Sequence, residues 1–385
     1  MFTASELQHR AMNEIKDWYL NSKKPYFTLF GFAGSGKSTI IKPLTHDLGL
    51  DPDNPKDVLY ASFMGKAVDV MRKKGLKNCF TIHSLIYVPV EHSDHTVTFE
   101  LNELSILKNT KLLVLDEVSM VNEDLAKDLL SFGIKVIALG DPCQLPPIEG
   151  QGFFNRDPDF FLDEIHRQAL NSPIIALATI VREHHELPNE ADFGDVQIIP
   201  YKKFDLMSQF NYSQVITGKN VTRKIMNLLY KERMGVQDCY PNAPGLKVIC
   251  LKNNKELQLF NGMTGETTSG VHLIDEKLLR FKQSIQMESG KLYKNLDICT
   301  IPYREYFDNN IQLTQRDKFY LKDTQQFDLA HCITGYKSQG NQYQSVLLLD
   351  DGFGYWDKII RAKYLYTVIT RAIETFTLVQ GVRIT

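Results

Sequence analysis

No apolar run in the chain approaches the roughly 18 residues that a membrane helix needs. The stretch from Pro173 to Val181 is among the longest and is about half that length. Neither sign of charge is in excess. The 385 residues hold 44 Lys and Arg against 46 Asp and Glu, for a formal charge of -2. That excludes a uniformly basic nucleic-acid coat, but not a basic channel offset by acid elsewhere. The six cysteines are Cys79, Cys143, Cys239, Cys250, Cys299 and Cys332, and no two have CxxC spacing. The zinc-site patterns and a secreted disulfide framework are therefore both absent, and a reduced cytosol is the compartment expected. The opening segment Met1–Tyr19 is too polar for a signal peptide. Internal repeats and low-complexity tracts are also missing. What remains is ordinary folded-protein composition, 43% hydrophobic and 23% charged, in a chain long enough for two or three domains with large cores.

The first half alternates short apolar runs with helical patterns. Tyr26–Phe30, Val58–Ser62, Leu112–Leu115 and Lys135–Leu139 read as strands, which implies an α/β fold with a mostly parallel sheet and crossover helices. The tail repeats the theme with strands at Ser345–Leu349 and Thr375–Val379 and a helix near Tyr364–Ala372 between them. Val215–Thr217 begins another strand, followed by a helix over Val221–Met234. Two stretches break the rhythm. Tyr87–Val90 and Thr96–Leu101 are β-prone and flank the polar segment from Glu91 to His95, so residues 87–101 read as an inserted hairpin. Residues 244–325 contain short strands at Leu246–Leu251, Glu256–Phe260, Val271–Ile274 and Leu296–Ile301, with a hairpin-turn signal at Asn261-Gly262. This region is expected to be a small all-β insertion, a barrel.

Three segments carry phosphate chemistry. Gly31-Phe32-Ala33-Gly34-Ser35-Gly36-Lys37-Ser38 fits GxxxxGK[ST], after a strand and before a helix. Its glycines let backbone N–H groups face phosphates without a Cβ in the way, and the helix start adds partial positive charge. Gly34, Ser35, Gly36, Lys37, Ser38 and Thr39 are the candidate nucleotide contacts, with Lys37 reaching the β- and γ-phosphates and Ser38 ligating Mg²⁺. The strand Leu112–Leu115 ends in Asp116 and Glu117, which puts carboxylates at the edge of a parallel sheet where ligands bind. Asp116 is the second candidate metal residue, and Glu117 the candidate base that orients and deprotonates water. A third apolar strand runs into Gly140-Asp141-Pro142-Cys143-Gln144-Leu145-Pro146-Pro147, where Gln144 is placed to sense the γ-phosphate and the proline pair stiffens the loop.

With these segments in order, the chain resembles the superfamily 1B DNA helicases, the RecD/Pif1/Dda-like group. Further segments extend the match. Tyr60–Ala67 resembles motif Ia, Thr81–Leu85 motif Ib, Ile333–Gly340 motif V and Tyr366–Ala372 motif VI. Leu162-Asp163-Glu164-Ile165-His166-Arg167-Gln168 resembles the segment that supplies an ATP-facing arginine, and Ile216–Asn220 stands where the second motor domain begins. The match runs from near Leu7 to Ala372. Two motifs depart from the family: motif Ia has Ser62-Phe63 where Pro-Thr is usual, and motif V has Tyr336 where His is usual.

The resemblance implies two RecA-like P-loop domains, a β-hairpin pin and a small SH3-like insertion. Residues 1–86 and 102–165 would form motor domain 1A, 87–101 the pin, 166–243 and 326–385 motor domain 2A, and 244–325 the SH3-like domain. It implies ATP and Mg²⁺, with Gln8 reading the adenine edge and Arg167 and Arg371 approaching the γ-phosphate from opposite sides of a cleft. Single-stranded DNA and duplex junctions are the implied partners, contacted by Ser62, Phe63, Thr81, His83, Pro146, Thr334, Tyr336 and Lys337. Phosphates suit the hydroxyls and amines of such a set, and base faces suit its aromatics. A monomer acting beside single-strand-binding or replication proteins, with 5′→3′ polarity, is the family expectation. Bases cluster near motif segments, at residues 66–77 and 219–233, whereas 183–195 holds five acids and no Lys or Arg. The residues alone leave open an RNA-directed motor, because no 2′-OH reader is evident; a P-loop phosphotransferase and a non-enzymatic DNA-binding module are the other readings.

Overall fold

The computed structural model describes residues 4–91, 97–147, 151–164, 172–188, 191–238, 240–254, 256–275, 277, 279–306, 311–355 and 357–383. Arg167, Cys239 and the hairpin tip at 92–96 lie outside them.

Among the described residues, eight strands belong to the first half: β1 (Tyr26–Gly31), β2 (Val58–Ser62), β3 (Cys79–Thr81), β4 (Tyr87–Glu91), β5 (Val97–Leu101), β6 (Leu112–Asp116), β7 (Lys135–Gly140) and β8 (Phe160–Leu162). Six form one sheet in the order β3-β2-β6-β7-β1-β8, and every pairing in it is parallel. Its central strands read as continuous apolar runs because helices cover both faces. Two buried clusters occupy those faces. One gathers Trp18, Ile40, Leu44 and Met71 against Leu29, Val114 and Leu139. The other gathers Ile86, Leu125 and Phe154 against Phe30, Leu113 and Val136. Successive strand residues alternate between them, as a pleated strand requires. Strands β4 and β5 pair antiparallel as a separate two-stranded hairpin.

The second half contributes β9 (Ala191–Asp192), β10 (Val196–Pro200), β11 (Gln214–Thr217), β12 (Lys247–Cys250), β13 (Thr264–Thr267), β14 (Leu273–Asp275), β15 (Arg280–Met287), β16 (Leu292–Cys299), β17 (Phe327–Leu329), β18 (Cys332–Thr334), β19 (Tyr343–Leu349) and β20 (Ala372–Gln380). A second sheet runs β18-β11-β19-β20-β10-β9, parallel except for the edge strand β9. Between β11 and β18 the chain leaves to build a third, antiparallel sheet in the order β14-β15-β13-β12-β17, with β16 on β15. Its core holds Phe281, Ile285, Ile298, Tyr303 and Phe327. The run Glu256–Phe260, expected to be a strand, is instead a turn closed by the single bridge Asn254↔Leu259. Gln258 takes φ 59°, which extended pairing cannot accommodate.

The chain packs as two compact units. One takes residues 1–187, 339–341 and 354–370; the other takes 188–338, 342–353 and 371–385. The helix Lys358–Ile369 packs on the helix Pro173–His184 within the first unit, although it connects strands of the second sheet. Among the described residues no helix is long and apolar enough to cross a membrane.

In the second unit the third sheet is held to the helix Asn220–Arg233 by a buried polar knot. Arg223 Nη1 donates to Asp328 Oδ2 at 2.6 Å, and the Tyr306 hydroxyl donates to Asp328 Oδ1 at 2.8 Å. Asn227 Nδ2 donates to the same hydroxyl at 3.2 Å. An Asp328→Ala variant is expected to lose about 3 kcal/mol in denaturant unfolding, because it leaves the largely buried Arg223 charge without its carboxylate, with only Asn220 and the Tyr306 hydroxyl as acceptors among the described residues. Loss of the exposed Glu123–Lys127 pair, 2.8 Å apart, is expected to cost only about 0.3–0.5 kcal/mol in the same assay.

Candidate nucleotide and nucleic-acid site

Parallel pairing brings the ends of β1, β2, β3, β6 and β7 to one edge of the first sheet. Phe30 is level with Gly140, and Ser62 with Asp116. The motif residues that follow these strands are thereby gathered, as the edge of an open α/β sheet requires for ligand binding.

The loop after β1 is shaped by its glycines. Gly34 and Gly36 take φ 81° and 78°, a region that side-chain-bearing residues seldom enter. A Cβ on Gly31 would lie 2.6 Å from the Leu162 carbonyl oxygen and from Ser35 Oγ. Lys37 Nζ donates to the Gly31 and Phe32 carbonyls at 2.6 and 3.0 Å. Residues 37–39 form a short 3₁₀ turn, and the helix Ile41–Asp47 follows. Gln8 is almost wholly buried. Its Oε1 accepts from Ser5 N–H while Ser5 Oγ accepts from Gln8 N–H, a reciprocal cap on the helix Glu6–Asn21. Its Nε2 donates to the Ser35 carbonyl at 3.3 Å, which ties that cap to the phosphate loop.

Ser38 Oγ donates to Asp116 Oδ2 at 3.1 Å. Burial and the neighbouring Glu117 carboxylate push the Asp116 pKa up, and the Lys37 ammonium opposes them. Glu117 sits at φ 55° and ψ 49°, and its N–H donates to Asp116 Oδ1 at 2.9 Å. A non-glycine residue held in the left-handed region marks a position where local preference is overruled by its surroundings.

The loop after β7 is tied down on both sides of Gln144. Asp141, buried, accepts from Cys143 N–H at 3.0 Å and from the Tyr366 hydroxyl at 2.7 Å. Burial pushes its pKa up, against Lys37. Leu145 N–H donates to Thr367 Oγ1 at 2.9 Å, and the Leu145 carbonyl accepts from Gln339 Nε2 at 3.2 Å. Gln144 is itself buried, and among the described residues its Oε1 has no partner, nor has Ser35 Oγ. Buried polar atoms of this kind ordinarily have partners.

Hard oxygen donors at Ser38 and Asp116, beside an ammonium and a loop of free backbone geometry, fit a magnesium-bound polyphosphate. Mg²⁺ is commonly held by one or two protein oxygens plus phosphate oxygens rather than by a full protein cage. Among the described residues no cluster of three His, Cys, Asp or Glu suggests any other metal centre.

The remaining candidates fall in two sets. In the first unit, Ser62 and Thr81 are buried at strand ends. Thr81 caps the helix Ile82–Ile86 by accepting from Ser84 N–H at 3.2 Å. Phe63 packs partly on the core and meets the His83 ring edge-on at 5.4 Å. His83 keeps an exposed edge, while burial of the rest of the ring lowers its pKa. Pro146 is half-buried. In the second unit, Thr334 ends β18 and Tyr336 meets Phe353 edge-on at 6.2 Å. Lys337 Nζ donates to Asn261 Oδ1 at 3.1 Å, and burial lowers its pKa. Arg371 is buried and directly precedes β20.

Sequence reading overlooked several side chains at the site. Tyr366, Thr367 and Gln339 stand inside motifs V and VI but carried no assigned role. Arg182 lays its guanidinium 3.6 Å from the centre of the Phe32 ring in the phosphate loop, and only its aromatic partner was within any motif. Gly340 approaches motif Ia so closely that a Cβ would lie 3.0 Å from Ala67 Cβ.

A family model described as an AAA domain matches residues 3–198, half of the chain. The ATP-dependent DNA helicase dda of Enterobacteria phage T4 is 32% identical over 191 residues, 46% of this chain and 42% of that protein. The ATP-dependent DNA helicase Pif1 of a Psychrobacter strain is 26% identical over 297 residues, 62% of this chain and 43% of that protein. The chain thus spans less than half the length of these two relatives. Among solved structures, Bacteroides Pif1 bound to ssDNA superposes with a TM-score of 0.60 at 20% identity, covering 98% of this chain and 92% of that one. Pif1 from Candida albicans gives a TM-score of 0.53 at 15% identity, covering 99% and 95%. These likenesses show the fold, two RecA-like domains. The chain belongs to the AAA domain family, and its sequence is similar to the dda and Pif1 helicases.

Proposed function

We propose that the chain is an ATP-dependent 5′→3′ DNA helicase that moves along single-stranded DNA and separates duplex. The observation that carries this reading is the convergence of Lys37, Ser38, Asp116 and Glu117 at one sheet edge, with Ser38 bonded to Asp116. Ser38 and Asp116 would hold Mg²⁺, which screens phosphate charge and orients the γ-phosphate for attack. Lys37 neutralises phosphate charge, Glu117 takes a proton from the attacking water, and Gln144 responds to the γ-phosphate. Arg167 and Arg371 add cationic charge where charge develops, and Gln8 reads the adenine edge.

In this reading residues 1–86 with 102–165, and 166–243 with 326–385, are the motor domains 1A and 2A. Residues 244–325 act as an SH3-like clamp. Ser62, Phe63, Thr81, His83, Pro146, Thr334, Tyr336 and Lys337 contact the strand, and the protein works as a monomer, beside single-strand-binding or replication proteins. Balanced net charge suits a motor that must release its track every cycle, so modest affinity that depends on nucleotide state and salt is expected.

The test is unwinding of duplexes carrying a 5′ or a 3′ single-stranded tail, with and without ATP. Only the 5′-tailed duplex with ATP should separate. Separation from 3′ tails alone reverses the polarity, and ATP hydrolysis stimulated by RNA but not DNA replaces DNA with RNA as the track. The hairpin at 87–101 is proposed as the separating pin. Phe99, on β5 opposite Pro89, leaves most of its ring exposed. Shortening residues 91–95 is expected to cut unwinding severalfold while single-strand-stimulated ATPase stays near wild type. Equal loss of both activities would remove the hairpin from the mechanism.

A further inference from the structure

Tyr366 lies in the helix Lys358–Ile369 and is almost wholly buried. Its hydroxyl accepts from Ala33 N–H in the phosphate loop at 2.9 Å and donates to Asp141 Oδ2 at 2.7 Å. One oxygen thus bridges two motifs that are 108 residues apart in sequence (Ala33 to Asp141) and joins them to a third. The adjacent Thr367, fully buried, accepts from Leu145 N–H at 2.9 Å. Asp141 and Leu145 are the two ends of the short turn that carries Gln144. Consecutive side chains of one helix therefore hold both ends of that turn, and the first of them also holds the phosphate loop four residues before Lys37.

Hydrophobic packing alone does not require this arrangement. A phenylalanine would fill the same volume. The hydroxyl is retained where both of its hydrogen-bonding capacities are used by groups with few alternatives: a loop N–H and a buried carboxylate. Removing it leaves the Ala33 N–H without this acceptor and Asp141 without this donor, and buried groups left short of partners are costly. The carboxylate retains Cys143 N–H, and the loop retains the Gln8 tie at Ser35. Such a loss should shift the two loops relative to each other rather than unfold the unit.

We propose that Tyr366 is a positioning residue for ATP hydrolysis: its hydroxyl, with the Thr367 hydroxyl beside it, sets the Gln144 turn in register with the phosphate loop. The proposal rests on the ATPase reading above, and its test separates the two. In Tyr366→Phe, kcat for DNA-stimulated ATP hydrolysis should fall about tenfold, while KM and the binding of a fluorescent ATP analogue stay within twofold and thermal unfolding remains cooperative. Small misplacements of reacting groups act on kcat in this way. Thr367→Val should lower kcat in the same sense, and Thr367→Ser, which keeps the acceptor, should restore it to within twofold of wild type. A purely structural role would lower the folded fraction and leave kcat per folded molecule unchanged.

Amide hydrogen exchange provides the independent arm. Tyr366→Phe should exchange faster within 31–38 and 141–145 and unchanged elsewhere in the first unit. A kcat within threefold of wild type overturns the proposal, as does a loss of kcat matched by lost nucleotide binding. If the wild-type protein hydrolyses no ATP, the functional reading falls, and exchange then decides the tie by itself: unchanged protection at both loops refutes it, and faster exchange at both upholds it.

Discussion

Arg371→Ala is expected to hydrolyse ATP about 10³-fold more slowly than wild type, the size of effect that an arginine facing the transferred phosphoryl group has in related motors. Arg371 is buried at the start of β20, and its carbonyl accepts from Tyr343 N–H at 2.8 Å, so the backbone that carries it is fixed in the second sheet. A side chain so placed loses little conformational entropy when it meets phosphate. Its planar fork, rather than its charge alone, is the useful feature, and Arg371→Lys should recover only a small part of the loss. The competing role is a structural contact of this buried side chain, whose loss lowers stability and leaves the rate per folded molecule near wild type. The two outcomes differ by orders of magnitude. Single-turnover hydrolysis with saturating nucleotide separates them, and a rate within tenfold of wild type would remove Arg371 from the chemistry.

Glu117→Gln should lower kcat by about 10²–10⁴-fold, the range for loss of a positioned general base. The change preserves shape and removes only the proton acceptor. Nucleotide should still bind, because Lys37, Ser38 and Asp116 are untouched, and removing a carboxylate beside bound phosphates weakens repulsion. Bound nucleotide affinity is therefore expected to stay equal or rise. The backbone supports a specific role for this carboxyl: Glu117 is held at φ 55°, with its N–H on Asp116 Oδ1. Asparagine or glycine would take that conformation more readily. A Glu117→Gln enzyme retaining more than a fifth of the wild-type rate would place the base elsewhere.

Much of this site was legible before any coordinates. Short apolar runs ending at Phe30, Leu115 and Leu139 indicate strands buried on both faces, and the structure has β1, β6 and β7 there, each extended by one residue beyond the run expected. The motif spacing also indicated which loops follow those strands. The all-β stretch was harder. The local pattern gives no strand signal at β13 or β15 and predicts one at Glu256–Phe260, where the structure has a turn. The cause is physical: an alternating pattern over a few residues fits a strand or a turn equally well, and the choice falls to backbone angles such as that of Gln258 and to which partner edge is available. Arg167, expected to face ATP, and the hairpin tip lie outside the described residues.

The sequence by itself determined the local content of the protein: a phosphate loop that only glycine permits, carboxylates at a strand end, parallel strands joined by helices, and near-neutral charge with bases grouped beside the motifs. Those properties depend on side chains within a few residues of each other, and periodicity and spacing express them directly. Tertiary structure alone decided the rest. Nothing local to Tyr366 indicates that its hydroxyl will bridge Ala33 and Asp141, or that Gln339 will hold the Leu145 carbonyl. Such contacts join residues 194 to 333 positions apart, and they are selected by the packing of whole elements, in which many weak apolar contacts fix the frame and a few buried polar groups must then find partners within it.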